Sequence, residues 1–169
     1  MERTVTMHGN ALALSGNVLK VGDKAPDFKV VDNGLAQTGI SAYRGKVVVL
    51  LSVPSLDTDV CSVETRRFNI EAGKLGGDVA ILAVSMDLPF AQKRWCAAEG
   101  VANVTTLSDH RDADFGRAYG VLLKDLRLLA RAVFVVDRDN VIRHIEIVKE
   151  VTNEPDYEAC LKVVEKCLK

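Results

Sequence analysis

Three observations predict an α/β fold whose sheet is part parallel and part antiparallel. Two buried-strand runs, 46–53 and 78–86, are each followed by a stretch of helical character. Two apolar runs near the C-terminus, 131–137 and 141–148, flank a tight turn at Arg138-Asp139-Asn140, and the chain closes on an amphipathic helix. Strands alternating with helices run parallel, and the late hairpin adds antiparallel neighbours. With 169 residues, 48% of them hydrophobic, the chain is expected to be a single domain, 1–169, with a full core.

In chain order, residues 4–7 and 11–14 alternate around His8-Gly9-Asn10 and predict an N-terminal β-hairpin covering an edge or end of the sheet. A loop over 21–28 leads to a short strand, a turn at Asn33-Gly34, and the strand 46–53. Pro54, which lacks a ladder N–H, ends that strand, and Asp57, Thr58 and Asp59 are competent caps for a helix running on through 65–74. The strand 78–86 feeds a helix over 88–99. Residues 104–107 read as a short strand, 113–119 as a short helix ended by Gly120, and 155–168 as the last helix, with Pro155 at an early helical position.

Lys plus Arg number 22 against 23 Asp plus Glu, so no global basic field points to nucleic acid or an anionic membrane. No apolar run is long enough to cross a bilayer, and no basic segment followed by an apolar one opens the chain; a soluble, cytoplasmic protein is expected. The cysteines at 61, 96, 160 and 167 form no CxxC pair and no zinc-like cluster, so neither a metal nor another cofactor is expected.

The four cysteines differ in setting. Cys61 opens a helix directly after a central strand; with Thr58 as cap, its sulfur lies in the first turn, where unpaired N–H groups and the helix dipole favour a thiolate. Reactive nucleophile and small buried filler are both open readings at that position. On a helical wheel over 88–102, Leu88, Phe90, Ala91, Trp95, Ala97, Ala98, Val101 and Ala102 share one arc. Gln92, Lys93, Cys96, Glu99 and Gly100 fall opposite, which puts Cys96 on the polar face. The last helix groups Cys160 and Cys167 with Tyr157, Leu161, Val163, Val164 and Leu168. Seven residues apart on one helix they stand roughly 10 Å apart, beyond disulfide reach, and both read as core packing. Cys61 and Cys96 are left as the candidate redox pair.

Pro54-x-x-x-Thr58-x-x-Cys61 resembles the active-site pattern of peroxiredoxins. The strings Pro54-Ser55-Leu56-Asp57-Thr58 and Ser85-Met86-Asp87-Leu88-Pro89-Phe90-Ala91-Gln92-Lys93-Arg94-Trp95-Cys96 are similar to the thiol peroxidase subfamily, of the atypical 2-Cys type. The resemblance runs over essentially the whole chain. It implies a thioredoxin-like fold with a mixed central sheet flanked by helices and an N-terminal β-hairpin, and a homodimer. It also implies a peroxidatic Cys61, a resolving Cys96 in the same chain, an intrachain Cys61–Cys96 disulfide and recycling by thioredoxin. Pro54, Thr58 and Arg131 are the expected substrate-binding residues.

The charge requirement can be weighed separately. An ordinary thiol with a pKa near 8.5 is only about 3% ionised at pH 7, and moving such a group by about 2.5 units takes roughly 3.4 kcal/mol. A helix N-terminus supplies about 0.3–1 kcal/mol, up to about 2, while Asp57, Asp59 and Glu64 push the other way. A cation is required. Arg131, leading Ala-Val-Phe-Val-Val, must put its charge at the end of the sheet, and the matching arginine of peroxiredoxins lies against the reactive sulfur; a solvated strand-end charge is the competing reading.

Three other functions compete with this one. A thioredoxin-like disulfide carrier calls for a CxxC and a proline before the last strand pair, where Leu128-Leu129-Ala130-Arg131 stands. A cysteine hydrolase needs a base, for which only His110 qualifies, His8 falling in a turn and His144 in mid-strand. A redox sensor or holdase would use the same cysteines. The leucine-rich stretch 121–129 reads either as a substrate mouth or as a subunit contact.

Overall fold

The computed structural model describes residues 2–169. The chain opens with β1 (Thr4–Met7) and β2 (Asn10–Ser15), an antiparallel hairpin that pairs Thr4 with Ala13 and Met7 with Asn10. His8 and Gly9 turn it with positive φ at both positions, 51° and 79°, which matches the right-handed twist of the two strands. Then follow β3 (Val30–Val31), β4 (Gln37–Thr38), a 3-10 turn at Ile40–Tyr43, β5 (Val47–Ser52), α1 (Asp59–Leu75), β6 (Val79–Ser85) and α2 (Pro89–Glu99). The second half holds β7 (Thr105–Ser108), α3 (Asp114–Ala118), β8 (Leu122–Leu123), β9 (Leu128–Leu129), β10 (Ala132–Val136), β11 (Ile142–Ile147) and α4 (Tyr157–Leu168).

Among the described residues the main sheet has seven strands in the order β11-β10-β5-β6-β7-β3-β4. Its centre is parallel, Ser52 lying beside Val84 and Ser85 beside Ser108, and β10 returns antiparallel with Ala132 opposite Ser52. The expected mixed sheet and N-terminal hairpin are therefore present.

Period-two alternation divides the central strands between two cores. Val47, Val49 and Leu51 point with Ile81, Ala83, Val133 and Val135 toward α1, α2 and α4. Val48 and Leu50 point with Leu82, Val84 and Phe134 the other way, onto Phe28, Phe115 and Tyr119. There Tyr119 stands at the centre, its ring 4.8 Å from Phe115 and 5.0 Å from Phe134.

Two expectations need correction. Pro155 precedes α4 instead of entering it; Asp156 is the cap, its carboxylate accepting the N–H of Ala159. Within 121–129, Leu126 is 46% exposed and Leu128 half-buried. Leu122, Leu123 and Leu129 are buried in the chain's own second core, where β8 and β9 join the hairpin in a four-stranded sheet, β1-β2-β8-β9. The face of α2 is only partly as expected: Trp95 is buried and Lys93 and Glu99 exposed, but Pro89 and Gln92 are buried too with Cys96 partly so, whereas Phe90 is 67% exposed. Three residues of that helix are alanines, which gain little by burial, and Gln92 is satisfied inside by donating to Ser85 Oγ at 3.0 Å and to the Leu107 carbonyl at 2.8 Å.

Candidate active site

The parallel centre brings the C-terminal end of β5 and the N-terminal end of β10 to the same rim. Because Ala132 pairs with Ser52, Arg131 emerges where the chain leaves β5 for Pro54 and α1. Ser52 Oγ closes the seam by donating to the Ala130 carbonyl at 2.7 Å. Beyond it, Pro54 is buried, and Thr58, extended at φ −90°, caps α1: its hydroxyl accepts the Cys61 N–H at 3.4 Å and donates to the Ser55 carbonyl at 3.0 Å.

Cys61 thus stands in the first helical turn as expected, but fully buried. Arg131, 2% exposed, is no solvated strand-end charge. It donates from Nη2 to Cys61 Sγ at 3.2 Å, from Nε to the Val151 carbonyl at 2.8 Å and from Nη1 to Glu64 Oε2 at 2.5 Å. Three acceptors on two segments, two on α1 and one at Val151, lock the planar guanidinium, which no lysine would reproduce. Glu64 was read from the sequence only as an opposing charge. It is wholly buried and paired with the arginine, one helical turn after Cys61; that spacing, on the face marked by the cysteine, was the available signal.

Burial pushes the Glu64 carboxyl up to about 7 against the opposing pull of Arg131. Burial alone would lower the arginine, yet the charges of Glu64 and Cys61 hold it above its ordinary value. Burial, then Glu146 and Glu64, push the Cys160 thiol up to about 12, and burial raises Cys167. Those two thiols therefore stay protonated at neutral pH, consistent with their reading as packing residues.

The second candidate cysteine lies on the same side of the sheet. Cys96 packs at the margin of the core that contains Cys61, its sulfur 3.5 Å from Thr106 Oγ1, beside a groove of about 370 Å³ formed with Asn33, Val104 and Thr106. Trp95, its neighbour, is buried in that core. All four cysteines are thiols here, Cys61 and Cys96 unbonded.

Asp87 links the two cysteine-bearing segments. Its carboxylate accepts Ser55 Oγ at 2.7 Å and the Leu56 N–H at 2.8 Å from the β5–α1 loop, and Ser85 Oγ at 2.7 Å from the end of β6. Among the described residues no histidine bonds to Cys61 Sγ and no group of side chains forms a metal site, and no helix is long and apolar enough to cross a membrane. His110 is half-buried and makes no hydrogen bond to the thiol, and His144 sits in β11 opposite Val135.

The Redoxin family model matches residues 20–161. A thiol peroxidase of Oceanobacillus iheyensis is 57% identical over 162 residues, covering 96% of this chain and 98% of that protein. One of Bacillus subtilis is 49% identical over 165 residues, 98% of each. Among solved structures, a peroxiredoxin-like protein from Aquifex aeolicus superposes with a TM-score of 0.90 at 42% identity, over 98% of this chain and 97% of that one. A buried cysteine at a helix start, clamped by a buried arginine on a mixed sheet, agrees with these matches: the chain belongs to the Redoxin family, within its peroxiredoxin branch and alongside the thiol peroxidases.

Proposed function

We propose that this chain is a thiol-dependent peroxidase that reduces hydrogen peroxide and alkyl hydroperoxides, with Cys61 as the peroxidatic and Cys96 as the resolving cysteine. The observation that carries the reading is the contact of the buried Arg131 guanidinium with Cys61 Sγ at 3.2 Å, at the N–H-rich start of α1. A low-dielectric site with fixed donors favours the sulfur anion and the negative charge that develops on the departing oxygen.

In the proposed cycle the Cys61 thiolate attacks one peroxide oxygen. The S–O bond forms as the O–O bond breaks, and the departing oxygen takes a proton to leave as alcohol or water. Arg131, Thr58 and Pro54 shape the oxygen-binding site. The Cys96 thiol condenses with the Cys61 sulfenic acid, losing water and forming the intrachain disulfide. Two electrons and two protons from thioredoxin then restore both thiols. By analogy with peroxiredoxins, the first turn of α1 opens in this cycle so that the buried Cys61 sulfur reaches Cys96. A reducing compartment, the cytoplasm, suits a cycle whose disulfide must be broken at every turnover, and a homodimer is the expected assembly.

Hydroperoxide consumption with thioredoxin and its reductase tests the reading. Wild type turns over, Cys61→Ser does not, and Cys96→Ser oxidises Cys61 but is poorly recycled. Turnover by Cys61→Ser sinks the proposal. Sedimentation equilibrium gives the oligomeric state, a monomer at micromolar concentration removing the dimer from it.

A further inference from the structure

Only one cation stands between two acids in this site. Arg131 donates from Nη2 to Cys61 Sγ and from Nη1 to Glu64 Oε2, and all three side chains are buried. The second carboxyl oxygen, Glu64 Oε1, has no hydrogen-bond partner. A carboxylate wholly removed from water with one oxygen unpaired is costly, whereas a neutral carboxylic acid tolerates the same place.

The other groups whose charge acts on Glu64 do not relieve it. Glu146 on β11 and Glu154 in the loop before α4 are both negative and oppose its ionisation. On α4, Tyr157 and Cys160 feel the Glu64 charge; their own ionisation is pushed out of the neutral range, so they remain uncharged. Among the described residues Arg131 is accordingly the single buried positive charge available to Cys61 and Glu64 together. With both acids ionised the trio carries a net charge of about −1 in a low-dielectric interior; with either one protonated it is neutral.

We propose that Cys61 and Glu64 ionise alternately against Arg131, so that Glu64 is a positioning residue that holds a proton while Cys61 is the thiolate and competes for the arginine when ionised. The exchange balances: thiol, carboxylate and guanidinium become thiolate, carboxylic acid and guanidinium, with one proton relocated and no net charge moved out of the site. The pair then titrates as a unit, with two steps that belong to both groups. The proposal rests on Cys61 being the reactive thiol, and alkylation measures that thiol's ionisation without peroxide.

The test follows Cys61 carboxamidomethylation by iodoacetamide against pH, resolved by mass spectrometry, in wild type and Glu64→Gln. Glutamine keeps an acceptor for Arg131 and removes the competing charge. The expected wild-type profile is broad or two-stepped. The variant should give a single step displaced to lower pH by about one unit, a roughly tenfold change in the proton affinity of the pair. The reciprocal measurement is the protonated-carboxyl infrared band at neutral pH, assigned by its loss in Glu64→Gln and expected to weaken in Cys61→Ser, where Glu64 has the arginine to itself. Superimposable alkylation profiles for folded wild type and Glu64→Gln overturn the proposal, as does a band unaffected by Cys61→Ser. A Cys61 that iodoacetamide does not reach at any pH overturns instead the reading of Cys61 as the nucleophile.

Discussion

Glu64 sets the most direct pH signature of the fold. Its carboxyl is raised from an ordinary value near 4.5 to about 7 by burial, so between those pH values the folded chain holds a proton that the unfolded chain has released. The stability linked to this proton is fully present below about pH 4.5 and is lost as pH rises through about 7. Glutamine cannot ionise and should be nearly neutral at pH 4.5 but stabilising at pH 8, by about 1–3 kcal/mol. Urea unfolding of wild type and Glu64→Gln across that range measures it; a stability difference that does not grow with pH rejects it. Arginine and glutamate also mark what residue-level reading reached. Arg131 was legible because a charge leading an apolar strand has to go somewhere specific. Glu64 was not, because a glutamate on a helix is ordinarily a surface residue, and only the sheet register that delivers Arg131 beneath it reverses that expectation.

At the level of elements, strong strand periodicity and capping chemistry carried the reading: β5, β6, β10 and α1 stand where their patterns put them, Thr58 caps α1, and the hairpin turn falls at His8-Gly9. The face of α2 was only partly legible for a physical reason: its three alanines define no strong apolar side, and Gln92 is buried through Ser85 and the Leu107 carbonyl on the flanking strands β6 and β7, partners outside the helix itself. Partners some thirty residues away, Ser55 and Leu56, likewise hid the role of Asp87, whose carboxylate holds the loop before Cys61 against the segment leading to Cys96. Asp87→Ala leaves Ser55 Oγ, Ser85 Oγ and the buried Leu56 N–H short of an acceptor and should destabilise by about 3 kcal/mol in denaturant unfolding; a loss under about 1 kcal/mol would show that water replaces the carboxylate. Trp95 reports on the same corner. It is buried in the core shared with Cys61, so peroxide should change its emission and a dithiol restore it. Unchanged emission, with the disulfide verified by mass, rejects opening of the first turn of α1.

Across the whole molecule, the N-terminal hairpin does more than cover an edge. Thr6 of β1 donates its N–H to the Lys149 carbonyl and accepts the Val151 N–H, and Val151 in turn holds Arg131 Nε through its carbonyl. Glu150 reinforces the link. The N–H groups of Thr152 and Gly9, with the hydroxyls of Thr152 and Thr6, hold its carboxyl down to about 2, so this tie persists above the ordinary carboxylate range and loosens only as pH falls toward 2. Position is thus handed from β1 through residues 149–151 to the guanidinium and on to Cys61, although the hairpin touches none of the reacting atoms in that chain. Since Val5, Val151, Leu122 and the strands of the main sheet also share one core, we expect unfolding in a single transition, with far-ultraviolet dichroism and Trp95 emission coincident; separated transitions would divide the chain into more than one domain. Thr6→Pro isolates the positioning role. Proline removes the N–H given to Lys149 and the hydroxyl given to Glu150, while its fixed φ is tolerable at a strand on the sheet margin, so the variant should fold with a loss of about 1–2 kcal/mol. Measured well below its melting temperature, its Cys61 should still react with peroxide but several-fold more slowly, because Arg131 loses the rigid carbonyl that aims it. Wild-type reactivity in a Thr6→Pro chain of lowered stability would mean that Glu64 and Cys61 alone suffice to orient the arginine.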